Sequence, residues 1–312
     1  MGDSSKMVEP KVAIIISTYN QKKLLEESLE SLKKNTDYKN YKVYVIDDSG
    51  KGEIGGYIKK KFKWIDITIN KENKGFSKAN NIEMKKALKE YNPEYILLLN
   101  DDTEMINKNW LKNMIGVAEK DKKIGILGCK ILYPDGSLQN MGGYMRKWEI
   151  ELEHNGNKKN IFEVDHVMGA FMIIKKDVIK KIGLLNEIYS PYLLEDTDYC
   201  LRAKEKGWKI VSVPYVSIIH KKGKSIDSLD DGKRLLVRFK NDIIFSKRHL
   251  KGWNKFFRIF IYLPLVAVFK KKNDTDKLKL RTFTLRKKFI RNMGLWFIAF
   301  FPRMYKKRLK IE

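Results

Sequence analysis

Three short apolar runs, Val12 to Ile16 (VAIII), Val43 to Ile46 (VYVI) and Ile96 to Leu99 (ILLL), each give way to polar residues. Unbroken runs of this length, rich in β-branched residues and leucine, predict strands covered on both faces, as in a parallel sheet. Between the first two, Leu24, Leu25, Leu29 and Leu32 recur at helical spacing among Glu26, Glu27 and Glu30. That stripe predicts an amphipathic helix. Lys78 to Glu90 repeats it through Ala79, Ile82, Ala87 and Leu88. Strands and helices therefore alternate, and the expected fold class is α/β with a mostly parallel, Rossmann-like sheet and flanking helices. Ligands of such sheets sit at the carboxyl ends of the strands.

After residue 120 the pattern changes to strand-like pieces with turns: Ile124 to Leu132, the turn Pro134-Asp135-Gly136, and Val167 to Ile174. A helix is predicted from about Glu195 through Ala203 to Lys206, stopped by Gly207, followed by a strand from Ile210 to Ile219 that contains Pro214. The expected organisation is a disordered leader at 1–9, a catalytic domain at 10–230 and a basic helical region at 231–312.

Composition narrows the class. With 312 residues, 43% hydrophobic, 33% charged and only 7 prolines, the chain is globular rather than collagen-like or disordered. Cys129 and Cys200 lie far apart with no CxxC pairing, which speaks against a disulfide framework and a cysteine zinc site. The net charge of +26 calls for an anionic partner or surface. Lys251 to Glu312 holds 18 Lys/Arg against Asp274, Asp276 and Glu312, so the basicity is concentrated at the C-terminal end. Two apolar stretches lie there, Phe256 to Phe269 and Met293 to Phe301, both shorter than the roughly 20 residues that cross a bilayer. Interfacial attachment through Phe256, Phe257, Phe260, Trp296 and Phe297 is expected. Packing on the catalytic domain or on a second protomer, as a homo-oligomer, is the alternative. Met1 to Pro10 is polar and lacks a signal-peptide core, so the expected location is cytoplasmic, peripheral on the inner face of the cell membrane.

Candidate chemistry gathers at the strand ends: Ser17-Thr18-Tyr19-Asn20, Asp47-Asp48-Ser49-Gly50 and Asn100-Asp101-Asp102-Thr103. Acids after strands are often only caps and turn formers, but three such groups on one sheet edge would converge. Asp48 suits a nucleobase imide or a ribose, and Asn100 with Asp102 can aim oxygen ligands at one divalent cation that holds a diphosphate. In the later cluster Glu195-Asp196-Thr197-Asp198, Asp198 and Arg202 form a structural i,i+4 pair. Asp196 is either a first-turn acid or a general base. His220 ends a strand, where it could complete a metal shell or neutralise phosphate. His154, His166 and His249 show no partner in the sequence.

The order VAIIISTYNQ, VIDDSG, NKGFSKANN, ILLLNDDTEM, GCKILYPDGSLQNMGG, VMGAFMIIKKDVIKKIGLLNE, LLEDTDYCLRAKEKGW and IIHKKGKS resembles the family 2 glycosyltransferases from residue 10 to about 225. ILYPDGSLQNMGG, EDTDYCLRAKEKGW and RFKNDIIFSKRH are most similar to the rhamnosyltransferase-like subgroup. The resemblance implies a GT-A fold and inverting transfer from a UDP- or dTDP-sugar, dTDP-rhamnose among them. The acceptor would be a glycan or lipid-linked molecule of cell-surface polysaccharide synthesis. It implies that Thr18 and Asp48 line the nucleotide site, with Asp47 as an alternative. Tyr19, Asn20, Asn73, Gly75, Asn80 and Asp101 belong to the same donor region, and Gly169-Ala170 are the small pair beside the donor sugar. Asn100 and Asp102 stand at the DxD positions and, with His220, would bind Mg²⁺ or Mn²⁺. Asp196 would be the base, partly buried beside Glu195 as alternative or orienting residue, and Lys221 or Lys222 would help neutralise the leaving diphosphate. The competing readings are a sugar-phosphate nucleotidyltransferase, which normally needs a Gly-rich basic loop where STYNQ stands, and a nucleic-acid-binding protein, which the acidic strand ends disfavour.

Overall fold

The computed structural model describes residues 9–147, 149–153, 156–221 and 231–263, together with 294 and 297. The strands are β1 Val12–Thr18, β2 Tyr41–Asp47, β3 Ile65–Ile69, β4 Tyr95–Asn100, β5 Thr103–Met105 and β6 Ile124–Leu132. They continue with β7 Leu138–Asn140, β8 Gly143–Arg146, β9 Glu149–Leu152, β10 Phe162–Glu163, β11 Phe171–Lys175 and β12 Lys209–His220. The helices are α1 Lys22–Lys34, α2 Glu53–Lys61, α3 Phe76–Glu90, α4 Trp110–Lys120, α5 Lys176–Ile182, α6 Glu195–Glu205, α7 Asp231–His249 and α8 Gly252–Phe257.

The chain divides into two units. The first, residues 1–144, 150–191 and 195–225, holds the main sheet in the order β10-β12-β6-β11-β4-β1-β2-β3, with β5 on β12 and β7 on β6. The strand pairs β1–β2, β1–β4, β2–β3 and β6–β12 are parallel, whereas β11 runs antiparallel between β4 and β6. The fold is α/β with a mostly parallel centre, as the apolar runs predicted. Consecutive side chains of β1 point to opposite faces. Val12, Ile14 and Ile16 join one core with Leu25, Leu29 and Leu32 of α1, while Ala13 and Ile15 join the other with Met84 of α3 and Tyr199 of α6.

Register brings the polar strand ends together. Thr18 lies opposite Asp47 across β1–β2, and Ser17 lies opposite Asn100 across β1–β4. The three polar groups therefore share one sheet edge.

Departures from the predicted elements have local causes. α2 goes unpredicted because EIGGYIKKK carries two glycines, poor helix formers. Gly55 is required there, since a Cβ would come within 2.7 Å of the Ile69 side chain. The strand expected over Val167 to Ile174 begins only at Phe171, because Phe171 N turns back to Met168 O at 3.1 Å and Gly169 is drawn toward α6. β12 contains Pro214 by shifting register against β6 between Val213 and Ser217, where proline's missing donor costs no ladder bond.

The second unit, residues 145–149, 192–194 and 226–312, is described over α7, α8 and a π-helical turn at Arg258–Tyr262. Its interior contains an ion pair, Arg258 Nη2 to Asp242 Oδ1 at 2.7 Å, with both side chains buried. Asn241 Nδ2 donates to the carbonyls of Tyr192 at 2.6 Å and Leu193 at 2.9 Å. Trp253, Phe256 and Phe260 form an exposed aromatic row, with centroids 5.1 Å apart at each step. Of the residues expected to contact membrane, Phe256, Phe260 and Phe297 are exposed, Phe257 is half-buried and Trp296 lies outside the described residues. Among the described residues no helix is long and apolar enough to cross a membrane.

Candidate active site

At the end of β1, the buried Thr18 donates its hydroxyl to Asp101 Oδ2 at 2.6 Å, and its carbonyl accepts Asp48 N at 2.9 Å. Burial, and then the adjacent Asp102 charge, push the Asp101 carboxyl up to about 8 against the pull of the Thr18 hydroxyl. Through its bond with Thr18, Asp101 ties the ends of β1 and β4 together. Tyr19 and Asn20, which follow Thr18, are exposed on the rim.

The two adjacent acids of β2 have different partners. Asp47 is fully buried, with Oδ1 accepting Ser49 N at 3.0 Å and Oδ2 accepting Gly55 N at 2.7 Å. It satisfies an N–H in the first turn of α2. Asp48 accepts Asn70 Nδ2 at 2.7 Å, Gly75 N at 2.9 Å and Lys74 N at 3.0 Å, closing the turn that leads into α3. Burial raises its carboxyl above the ordinary range, and those same three donors oppose the shift. In that turn Asn73 Oδ1 accepts Gly75 N at 2.8 Å. Gly75 has φ +78 and lies so close to Pro191 that a Cβ would meet its Cα at 2.8 Å, so no other residue fits. Asn80, one turn into α3, reaches Ser17 Oγ at 3.1 Å.

The ends of β4 and β12 bring together Asn100, Asp102 and His220. His220 Nε2 lies 3.1 Å from Asp102 Oδ1 and 3.3 Å from Asn100 Nδ2, with Asp102 and His220 both buried. A carboxylate oxygen, an imidazole nitrogen and a reorientable amide form a donor set that fits Mg²⁺ or Mn²⁺. Neighbouring Lys221 does not face this group. Its ammonium is taken up by Glu104 at 2.5 Å and Glu27 at 2.7 Å. Lys222 and His154 lie outside the described residues.

Asp196, half-buried in the first turn of α6, accepts Gly169 N at Oδ2 (2.8 Å) and Thr197 N at Oδ1 (2.7 Å). A Cβ on Gly169 would make ordinary contact, 3.4 Å from that carboxylate oxygen and 3.5 Å from Phe76 Cζ, so Gly169 and Phe76 both lie beside the acid. Ala170 follows Gly169 in the loop that enters β11. Its side chain is packed in the core, and its carbonyl accepts Asn100 N at 3.1 Å. Glu195 is buried beside Asp196. Asp198 is structural: it is fully buried, accepts Arg202 Nε at 2.8 Å and the Tyr189 hydroxyl at 3.2 Å, while Arg202 also binds the Ile182 and Leu184 carbonyls.

Three residues went unassigned in the sequence. Phe76 gave no signal beyond its place in NKGFSKANN. Gln139, in GSLQNMGG, reaches His220 across a sequence separation of 81. His166 is buried, and burial drives its imidazole down against the opposing charges of Asp196 and Asp165.

Residues 13–183, more than half of the chain, match the profile of glycosyl transferase family 2. The chain belongs to that family. This membership removes the nucleotidyltransferase and nucleic-acid readings. Over 179 residues it is 28% identical to the low-salt glycan biosynthesis hexosyltransferase Agl10 of Haloferax volcanii, covering 56% of this chain and 57% of that one. Over 204 residues it is 26% identical to the GalNAc(5)-diNAcBac-PP-undecaprenol beta-1,3-glucosyltransferase of Campylobacter jejuni, covering 64% and 62%. The chain thus spans less than two thirds of either relative's length. Among solved folds, S. aureus TarS 1-349 in complex with UDP-GlcNAc superimposes with a TM-score of 0.60 at 18% identity, over 94% of this chain and 82% of that one. The mannosyltransferase PcManGT of Pyrobaculum calidifontis, in complex with GDP-Man and Mn2+, gives 0.57 at 13% identity, over 93% and 88%. These likenesses show the fold.

Proposed function

We propose that this family 2 glycosyltransferase moves a hexose from a UDP- or dTDP-linked donor to a glycan or lipid-linked acceptor. Transfer inverts the anomeric carbon and uses Mg²⁺ or Mn²⁺ at the end of β4. The observation that carries the reading is the short path from the metal-ligand candidates to the candidate base. Asn100 N bonds Ala170 O, and the preceding residue, Gly169, bonds Asp196 Oδ2. One strand end and one loop thus tie the segment that carries Asp102 to the residue that holds the Asp196 carboxylate.

In this mechanism Asp196, held as a carboxylate acceptor by the Gly169 and Thr197 N–H groups, takes the proton of the acceptor hydroxyl. The hydroxyl oxygen forms its bond to the anomeric carbon on the face away from the nucleotide. The carbon–oxygen bond to the diphosphate breaks, and its electron pair leaves with the nucleotide. Asp102, His220 and Asn100 would hold the cation, which would supply Lewis-acid neutralisation of the diphosphate. Asp48 and the Thr18–Asp101 pair shape the nucleotide side. Gly169 adds no side chain where the sugar would meet Asp196, and Phe76 offers an apolar surface beside it.

Several observations support the details. PcManGT was solved with Mn2+ and TarS with UDP-GlcNAc. The Campylobacter relative is named for an undecaprenol-linked substrate. The subgroup resemblance makes dTDP-rhamnose the first donor to try. An acceptor carried on lipid suits a basic C-terminal region with an exposed aromatic row, attached peripherally to the cytoplasmic face of the membrane.

The test is a thermal-shift and turnover panel of nucleotide-sugars with and without Mn²⁺, run on wild type, Asp102→Ala and Asp196→Asn. The expected result is metal-dependent donor stabilisation that Asp102→Ala loses and Asp196→Asn keeps without turnover. Equal donor stabilisation of wild type and Asp102→Ala by Mn²⁺ would remove the metal from the mechanism.

A further inference from the structure

Gln139 sits at the centre of β7, whose register on β6 follows from the Tyr133–Ser137 turn, with Tyr133 N bonded to Ser137 O at 2.9 Å. From there its amide meets His220 at two points. Gln139 Nε2 donates to the His220 backbone carbonyl at 3.3 Å, and Gln139 Oε1 lies 2.5 Å from His220 Nδ1.

The first contact settles the orientation of the amide. A backbone carbonyl only accepts, so the atom facing it must be the NH₂ group, and the atom facing the ring must then be the amide oxygen. An amide oxygen also only accepts, so Nδ1 carries the hydrogen. In a neutral imidazole the lone pair is then on Nε2, the nitrogen 3.1 Å from Asp102 Oδ1 and 3.3 Å from Asn100 Nδ2. The amide N–H of Asn100 can satisfy that lone pair, whereas the Asp102 oxygen presents a second acceptor to it. Two acceptors held side by side favour a cation between them, a proton in the metal-free protein or a metal ion that displaces it.

We propose that Gln139 is a positioning residue that fixes the Nδ1–H tautomer of His220 and so presents Nε2, beside Asp102 Oδ1, as the nitrogen ligand of the divalent cation. This rests on the metal-dependent reading above. It goes further by naming the residue outside the ligand set that makes His220 competent. Partners that orient a ligating histidine in this way typically change metal affinity by about 10- to 100-fold when removed.

Two readouts other than activity test it. The first is long-range ¹H–¹⁵N correlation of the histidine rings in metal-free, ¹⁵N-labelled protein, with the His220 signal assigned among the four histidines by its loss in His220→Gln. The second is Mn²⁺ affinity, read by electron paramagnetic resonance with Mn²⁺ alone and with Mn²⁺ plus UDP. At a pH high enough to leave the ring neutral, wild-type His220 is expected to show the Nδ1–H pattern. Gln139→Leu should lose that preference and bind Mn²⁺ about tenfold or more weakly. Gln139→Glu, which keeps an oxygen acceptor for Nδ1, should stay within about threefold of wild type, a rescue that a merely structural role would not give.

An Nε2–H pattern in wild type overturns the proposal without any variant. Wild-type Mn²⁺ affinity in folded Gln139→Leu, with affinity lost in Asp102→Ala, overturns the role of Gln139 and leaves the metal reading standing. Failure of wild type to bind Mn²⁺ either alone or with UDP overturns the metal reading, and this proposal with it.

Discussion

Gly169 donates its backbone N–H to Asp196 Oδ2 at 2.8 Å, and no side chain stands between the glycine and that oxygen. A single residue therefore fixes the carboxylate through its main chain and adds no side chain beside it. The neighbouring peptide ties the same loop to β4, because Ala170 O accepts Asn100 N. The geometry of the site thus depends on main-chain bonds of the antiparallel strand β11, inserted between β4 and β6.

Asp196→Asn is expected to lower turnover by about 10²- to 10⁴-fold, the usual weight of a general base, while donor binding persists. An asparagine accepts through one atom only, so either the Gly169 or the Thr197 N–H loses its partner, at a cost of about 1 kcal/mol. Initial rates and donor affinity measured on the same preparation check both halves. Retained turnover would exclude Asp196 as the base.

Glu83 of α3 is fully buried, and burial pushes its carboxyl up to about 7, with Thr68 and Lys86 opposing the shift. The folded state therefore holds a proton that the unfolded chain releases near its ordinary value of 4.5. A carboxyl raised in this way stabilises the fold below about pH 4.5, and the contribution is lost as pH rises through about 7. Glu83→Gln should remove that loss. Its melting temperature relative to wild type should climb between pH 5 and pH 8, as read by parallel thermal melts. A difference that stays constant across that range would show that Glu83 does not titrate there.

In the second unit, Asp242→Ala should destabilise strongly, because it leaves Arg258 buried without the carboxylate it meets at 2.7 Å. Breaking a buried pair from one side costs about 3–5 kcal/mol, whereas replacing both partners by apolar residues is often neutral. Limited proteolysis of residues 231–263 should accelerate in Asp242→Ala and return toward wild type in Asp242→Leu with Arg258→Met. Equal protection in all three proteins would mean that the pair carries no weight.

Replacing Trp253, Phe256 and Phe260 together by serine should abolish flotation with vesicles containing anionic lipid and leave the melting temperature nearly unchanged. All three rings are already exposed, so little burial is lost on folding. Unchanged flotation would assign the attachment elsewhere. A shift to a smaller species in size-exclusion chromatography would assign the row to self-association.

Much of the fold was legible because period and burial are local properties of the chain. The run VAIII needs both faces covered, and Leu25, Leu29 and Leu32 need one. Once β1, β2 and β4 pair in parallel, Thr18, Asp47 and Asn100 must arrive at the same edge. The i,i+4 pair of Asp198 with Arg202 was legible for the same reason, since one helical turn sets it. The convergence of His220 with Asp102 was reached through resemblance, because nothing local links residues 118 positions apart.

Tertiary structure decided which polar atoms meet. Asp47 and Asp48 are adjacent and chemically identical, yet alternation along β2 and its exit turn sends one to the first turn of α2 and the other to the Lys74–Gly75 turn. Lys221 follows a candidate metal ligand, but through-space neighbours Glu27 and Glu104 claim its charge. Gln139 has no pattern of its own and acquires its partner only because the β6–β7 hairpin lays it against the end of β12. Hydrophobic periodicity is encoded along the chain, whereas hydrogen-bond partners are chosen by distance in space. The sequence by itself therefore determined the sheet and its reactive edge, and only the packed structure decided which carboxylates, lysines and amides serve that edge and which hold the fold.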